Sequence, residues 1–323
     1  NATNEANRGD ENVTITDTTS AANVNAILGA TSGNVTATVT ADTAAALNTA
    51  LTNATTGTDA LTLTINDTTL TSVSDLLALD GKTNVAVNAS SVNSITDTYT
   101  NLNSVYAANT AGTISGLGNE AVTISDTTSA ANVSGILSKT SGVVTATVTS
   151  DTAASLNSAL TNTTGNDALT LTVTGTAAAT DLTALDGKTS VNVGATAVTT
   201  ITGTQAQVVA INVGTITTSG NYAVTLSDTS LSAAAIKTVN TQNGTGAIDI
   251  SSVTTITSST AADVLEIVNN TNSTFTTAAN YAVTISDTVS ATVANTIVND
   301  TTGIVTATVS SDTASNLNSA LVN

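Results

Sequence analysis

Histidine, cysteine, proline, methionine and tryptophan are all missing from this chain of 323 residues. Each absence removes a class of chemistry. Without cysteine there is no disulfide, no thiolate nucleophile and no zinc–thiolate site. Without histidine the usual general base near neutral pH and the commonest transition-metal ligand are gone, and with them any serine triad of the histidine type. Aromatic residues make up only 2% of the chain and charged residues only 9%. Positive charge is scarcer still: Arg8, Lys82, Lys139, Lys188 and Lys237 stand against 23 acidic residues, a net charge of −18. Such a chain repels phosphate backbones and anionic membrane surfaces, and favours solubility and divalent cations. No apolar run approaches a membrane span, so neither nucleic-acid binding nor membrane insertion is expected. No signal peptide is visible, and Asn1 reads as a processed end or the start of a fragment. The lack of cysteine and methionine fits an oxidising, surface-exposed setting.

What is present is mostly Ala, Thr, Val, Asn and Ser, with 40% apolar residues in a periodic pattern. That combination points to a packed core of small side chains. The organising stretch is Val122-Thr-Ile-Ser-Asp126-Thr127 with the residues that follow it to Thr149. Nearly the same text stands at Val13–Thr18, Val224–Thr229 and Val283–Thr288. The expected strand-ending position is usually Asp followed by Thr. It falls at Asp17, Asp42, Asp67, Asp97, Asp126, Asp151, Gly175, Gly203, Asp228, Ser258, Asp287 and Asp312, which is twelve repeats of 24 to 30 residues. Four repeats form a longer block, giving blocks 13–121, 122–223, 224–282 and 283–323, of which the third lacks its middle pair. Residues 1–12 read as a polar leader or as a cap on the first strand, and 13–323 as one continuous array.

Each repeat carries two periods. Before the Asp, apolar and hydroxyl residues alternate, as in Val35, Ala37 and Val39 against Thr36, Thr38 and Thr40, which is a half-buried strand. After it the apolar spacing becomes three and four, as in Val24, Ile27, Leu28 or Leu102, Val105, Tyr106, which is one face of a short helix. The Asp is expected to cap the helix start, and Gly33, Gly57, Gly81, Gly142, Gly165, Gly187 and Gly303 to end the helices. Strand, short helix, strand at this period implies parallel strands joined by right-handed crossovers. The expected fold is a repeat solenoid of twelve coils, all strands in one parallel sheet and one short helix per coil. The alternative is an all-β right-handed β-helix, against which the Ala-rich run Ala44–Leu51 counts.

Four features invite a chemical reading. The hydroxyl strand face (Thr14, Thr36, Thr38, Thr62, Thr64, Thr123, Thr145, Thr147, Thr170, Thr172, Thr225, Thr284, Thr306, Thr308) is similar to the Thr-x-Thr arrays of ice-binding solenoids. Threonine is also simply the best polar residue for an exposed strand, and Asn88–Ser91, Asn192–Gly194 and Asp249–Ser251 break the array. The Asp column, with Asp17, Asp42, Asp67, Asp126 and Asp151 as candidate ligands, offers hard oxygen atoms for Ca²⁺, whereas helix capping explains each Asp singly. Asp80-Gly-Lys-Thr83 and its copy Asp186–Thr189 echo a P-loop but lack its upstream glycine, so a turn is expected. Asn12, Asn34, Asn53, Asn132 and Asn162 head glycosylation sequons of a kind that this composition yields by chance. No pair of carboxylates stands apart from the capping pattern, so no catalytic residue is assigned and no enzyme is expected.

Ala121-Val-Thr-Ile-Ser-Asp-Thr127 and Gly142-Val-Val-Thr-Ala-Thr-Val148 resemble the Ala/Thr/Val/Asn-rich repeats of very large secreted surface proteins of marine bacteria and cyanobacteria, of the S-layer, adhesin or extracellular-matrix type. The resemblance is one of repeat style across the whole array. It implies secretion to the cell surface and a structural or adhesive role, and it carries no functional residues across. At the two ends, Val13, Thr14 and Ile15 and then Val305, Thr306, Val309, Leu317 and Leu321 are expected to present open edges. Natural sheets hide such edges. The expected partner is a second copy, stacked head to tail into a filament or surface layer. Surface glycans or neighbouring cells are the partners of an adhesin stalk, and an ice-binding plane is the other rival.

Overall fold

A computed structural model describes residues 9–54 and 57–321. The leader residues 1–8, with Glu5 and Arg8, lie outside the described residues. Those described form twenty β-strands, twelve α-helices and one 3-10 helix, alternating from the strand Val13–Thr19 to the helix Ala314–Ala320. Every strand pairing among them is parallel. The helices rule out the all-β alternative, and the fold is α/β with parallel sheets.

The chain divides into two compact bodies: residues up to Thr149 together with Leu160–Leu169, and Ser150–Ala159 together with the residues from Thr170 onward. In the first body, Val13–Thr19, Val35–Val39 and Ala60–Thr62 form one sheet in that order. Ala168–Thr170, Val144–Thr147, Ala121–Ile124, Ser94–Asp97 and Thr69–Leu70 form a second, and Val87–Asn88 pairs with Ile114–Ser115. In the second body, Thr172–Ala178, Val193–Gly203, Ala223–Leu226, Ile248–Ile250 and Phe275–Thr277 run in order, with Ile216–Thr218 also on Val193–Gly203. A further sheet orders Ser230–Ser232, Thr255–Ser259, Ala282–Val289 and Val305–Val309.

The expectation of one sheet is therefore corrected. Longer repeats carry two short strands with a turn between them, as in Val87–Asn88 and Ser94–Asp97, where Val92 N–H closes back on the Ala89 carbonyl at 3.1 Å. The two strands then pair in different sheets. Nor does every strand end at its Asp. Val13–Thr19 runs through Asp17 by a bulge, with Thr14 facing Thr36 and Thr18 facing Thr38. Ala282–Val289 passes Asp287 in the same way. The extra residues bend the strand toward the helix that follows.

The strand alternation holds. In Val35–Val39 the three apolar residues are buried and both threonines exposed. The helical faces follow, with Val24 and Leu28 buried in Ala21–Leu28, and Leu102, Val105 and Tyr106 in Tyr99–Ala111. Full burial of a Val or Leu side chain is worth about 1.5–3 kcal/mol.

Two expectations about turns change. The helix caps are the hydroxyl residues after the Asp: Ser20, Thr43, Thr98, Ser129, Thr204, Ser232, Thr260, Ser290 and Thr313 each accept an amide of their own helix's first turn. Of the glycines, Gly81 and Gly187 do end helices. Gly33, Gly142 and Gly303 lie several residues past a helix end, and a Cβ on any of them would overlap the backbone of Glu11, Glu120 or Tyr281, about 22 residues earlier in the chain. They are small because two segments of the chain meet closely there. Gly57 and Gly165 turn in the left-handed region, at φ +70 and +78.

Candidate functional site

The Asp column bonds from one repeat to the one before it. Asp67 Oδ2 accepts Ala44 N–H at 2.7 Å, Asp126 Oδ1 accepts Tyr99 N–H at 2.7 Å, Asp228 Oδ2 accepts Gln205 N–H at 2.6 Å and Asp287 Oδ1 accepts Ala261 N–H at 2.8 Å. The first amides of a helix have no partner within it, so each of these carboxylates closes a junction between repeats. Asp97 does this for Val73 N–H at 2.9 Å and also takes Thr98 N–H and the Asn101 amide. Burial pushes its pKa up, but these donors outweigh it and hold the carboxyl below the usual range. Asp42 and Asp151 only accept the next residue's amide, from Thr43 at 2.8 Å and Thr152 at 2.7 Å. Asp17 is exposed, and its carboxylate has no hydrogen-bond partner among the described residues. The five candidate cation ligands thus sit in three different settings. Among the described residues no group of three or more carboxylates is placed to hold a metal ion.

Residues that the sequence did not single out close the other junctions. Asp59 and Asp167 are buried and accept the first strand amides of the preceding repeat, Val35 N–H at 2.8 Å and Val144 N–H at 2.9 Å. The available signal was their shared text, Asp-Ala-Leu-Thr-Leu-Thr, beginning at residues 59 and 167. Glu120 is buried and accepts from the Tyr106 hydroxyl and from Gly118 and Asn119 N–H. Burial and that carboxylate together push the Tyr106 phenol well above its ordinary range.

The turn reading of Asp80–Thr83 is the one the geometry gives. Lys82 Nζ donates to the Asn48 and Leu51 carbonyls at 3.2 and 2.6 Å, at the end of the preceding helix, and Thr83 is buried against Leu61. A concavity lined by Asp67 and Asp75 brings two carboxylates together. Both already have donors, Ala44 N–H and the Asn48 amide.

The threonine face is assembled in pieces. Thr14 faces Thr36, Thr38 faces Thr62, Thr123 faces Thr145, Thr202 faces Thr225 and Thr284 faces Thr306. Ala60 beside Thr36 and Asp249 beside Thr225 interrupt it.

Among the described residues, Val13–Thr19 and Val305–Val309 each pair on one side only. The last repeat can be compared with its near-identical counterpart, since Val305-Thr-Ala-Thr-Val309 repeats Val35–Val39 and Leu317 and Leu321 match Leu47 and Leu51. Val35, Ala37, Val39, Leu47 and Leu51 are all buried. Val305, Ala307, Val309 and Leu317 are only half-buried, and Leu321 is 43% exposed. Val13 and Ile15 are half-buried on the other edge, whereas their counterparts Val122 and Ile124 are buried. The sequence matches no family model, and neither a curated protein nor a solved structure is significantly similar to it.

Proposed function

We propose that this chain is an extracellular structural protein, a subunit or segment of a filament or surface layer that grows by head-to-tail stacking of its open repeat edges. The observation that carries this reading is the junction that recurs between successive repeats, in which Asp67, Asp126, Asp228 and Asp287 each accept the first helix amide of the repeat before. A contact that repeats along one chain is a contact that a second copy can extend. On this reading the strand–helix repeats are twelve coils of one solenoid spanning 13–323, and the contact between copies has the geometry of the contact between coils. The style of the repeats, like those of large secreted surface proteins, and the lack of cysteine and methionine support an extracellular setting. The interrupted threonine ladder and the carboxylates committed to backbone amides favour a structural role over ice binding or catalysis.

Electron microscopy of the purified chain across a concentration series tests this. Fibres that lengthen as the protein concentration rises are expected. Isolated single particles at every concentration would sink the filament reading and pass the role to a monomeric adhesin stalk.

A further inference from the structure

Seven buried side-chain oxygen atoms lack a hydrogen-bond partner among the described residues, and five of them belong to Tyr222, Asn240, Gln242, Asn243 and Ser273. Buried acceptors are nearly always paired, so their concentration in one part of the chain needs a cause. Asn240, Asn243 and Ser273 are 1%, 0% and 2% exposed. The two asparagines stand at the end of the helix Ala233–Gln242, three residues apart and so on one face.

The orientation of both amides is fixed. Asn240 Nδ2 donates to Glu266 Oε1 at 2.7 Å and to the Thr271 carbonyl at 3.1 Å. Asn243 Nδ2 donates to the Tyr222 and Gly246 carbonyls at 3.3 and 2.7 Å. Turning either amide over would set its oxygen against two acceptors, so each Oδ1 has to face something else. Ser273 N–H shares the Thr271 carbonyl with Asn240, at 2.9 Å. The pairing of Ile248 with Phe275, carried two residues back, sets Ser273 beside Gly246, whose carbonyl holds Asn243. The three oxygens therefore belong to one turn.

The backbone is strained at that same turn. Asn270 and Asn272, at φ +50 and +72, are the two residues other than glycine with positive φ among those described. Asn272 is held there by donating to the Asn240 and Gly244 carbonyls at 3.1 and 2.9 Å. Ser273 also departs from the repeat. Two residues before the strands that open at Val35, Val144, Ile248 and Val305 stand Gly33, Gly142, Gly246 and Gly303. Before Phe275 the same place holds a serine and adds a buried hydroxyl. Strain that the surroundings impose, beside unpaired polar atoms, is the mark of a ligand clamp.

We infer that this turn binds a monovalent cation, sodium or potassium, through Asn240 Oδ1, Asn243 Oδ1 and Ser273 Oγ. These are hard, neutral oxygens, of the kind that replaces the hydration shell of such ions. A divalent ion would call for carboxylates. The nearest, Glu266, is already engaged by Asn240 and by Lys237 Nζ at 3.1 Å. It serves the site indirectly: by accepting from Asn240 Nδ2 it polarises the amide and makes Oδ1 a better ligand. The net charge of −18 raises the local concentration of cations. The ion ties the end of one helix to the turn of the next repeat within a single copy, so the site needs no assembly.

Thermal unfolding of the full chain in sodium, potassium and choline chloride at one concentration tests this, because screening is then equal and only the cation differs. A midpoint a few degrees higher in sodium or potassium is expected, rising with ion concentration as one site fills. Ser273→Gly restores the residue of the other repeats, so it keeps the fold, and it should remove most of that difference. Crystals grown in rubidium chloride locate the ion, with an anomalous peak expected in contact with Asn240 Oδ1 and Asn243 Oδ1. Equal midpoints in the three salts overturn the site even if a peak is seen, since the peak then reports binding at crystal concentration only. A salt difference that Ser273→Gly leaves intact, or a peak elsewhere, overturns the assignment to this turn.

Discussion

Single residues show how tightly polar groups are accounted for in a core built of small side chains. Tyr106 is 1% exposed and donates to buried Glu120. Tyr281 does the same for Asp300 at 2.7 Å. Burial first, and then the neighbouring carboxylate, raises both phenols far above their ordinary range. A folded-state pKa above the unfolded value means that each phenol's contribution is whole below about pH 10 and is lost as the pH climbs from there toward the folded value. Alkaline titration is therefore expected to show tyrosinate absorbance rising together with loss of helical circular dichroism. Tyr106→Phe should raise the alkaline midpoint while costing about 1–3 kcal/mol at neutral pH, because Glu120 loses a donor in a buried site. Tyrosinate forming fully while the helices persist would show that these phenols reach solvent without unfolding. Neither pair was legible in the sequence: Tyr106 and Glu120 are joined by topology and share no motif.

At the scale of elements, the sequence is most legible where one repeat suffices. The alternation in Val35–Val39 and the three-and-four spacing in Tyr99–Ala111 each name the buried face of a single strand or helix. The junctions were less legible because they pair residues 23 to 27 apart in sequence. Asp126 looks like the start of the helix after it, yet Ser129 caps that helix and Asp126 serves the one before. The carboxylate of Asp59, just ahead of its strand, reads as a loop residue until the neighbouring strand supplies Val35 N–H. This division of labour has a measurable consequence. Asp126→Ala is expected to cost about 0.5–2 kcal/mol and to speed hydrogen exchange in the first turn of Tyr99–Ala111, with little change in Ala130–Leu137. Faster exchange confined to Ala130–Leu137 would restore the single-repeat cap. Ser129→Ala is the converse control.

At the scale of the molecule, the proposed assembly has to overcome its own charge. Each copy carries −18, with five basic residues against 23 acidic ones. Within the chain, carboxylates of successive repeats lie close at Asp42 with Asp67 and at Asp97 with Asp126, where backbone amides neutralise part of the charge. Between copies the long-range repulsion remains, and it is screened over about 10 Å at 0.1 M salt. Assembly should therefore strengthen as ionic strength rises, the reverse of an interface held by opposite charges. Light scattering at fixed protein concentration distinguishes screening from a bound ion when NaCl and CaCl₂ are compared at equal ionic strength. Equal assembly in the two salts is expected, because the carboxylates at the junctions are already committed to amides and no described cluster of carboxylates suits a cation. A clear excess with calcium, reversed by a chelator, would show that a bound cation joins the copies and would return the Asp column to its metal-binding reading.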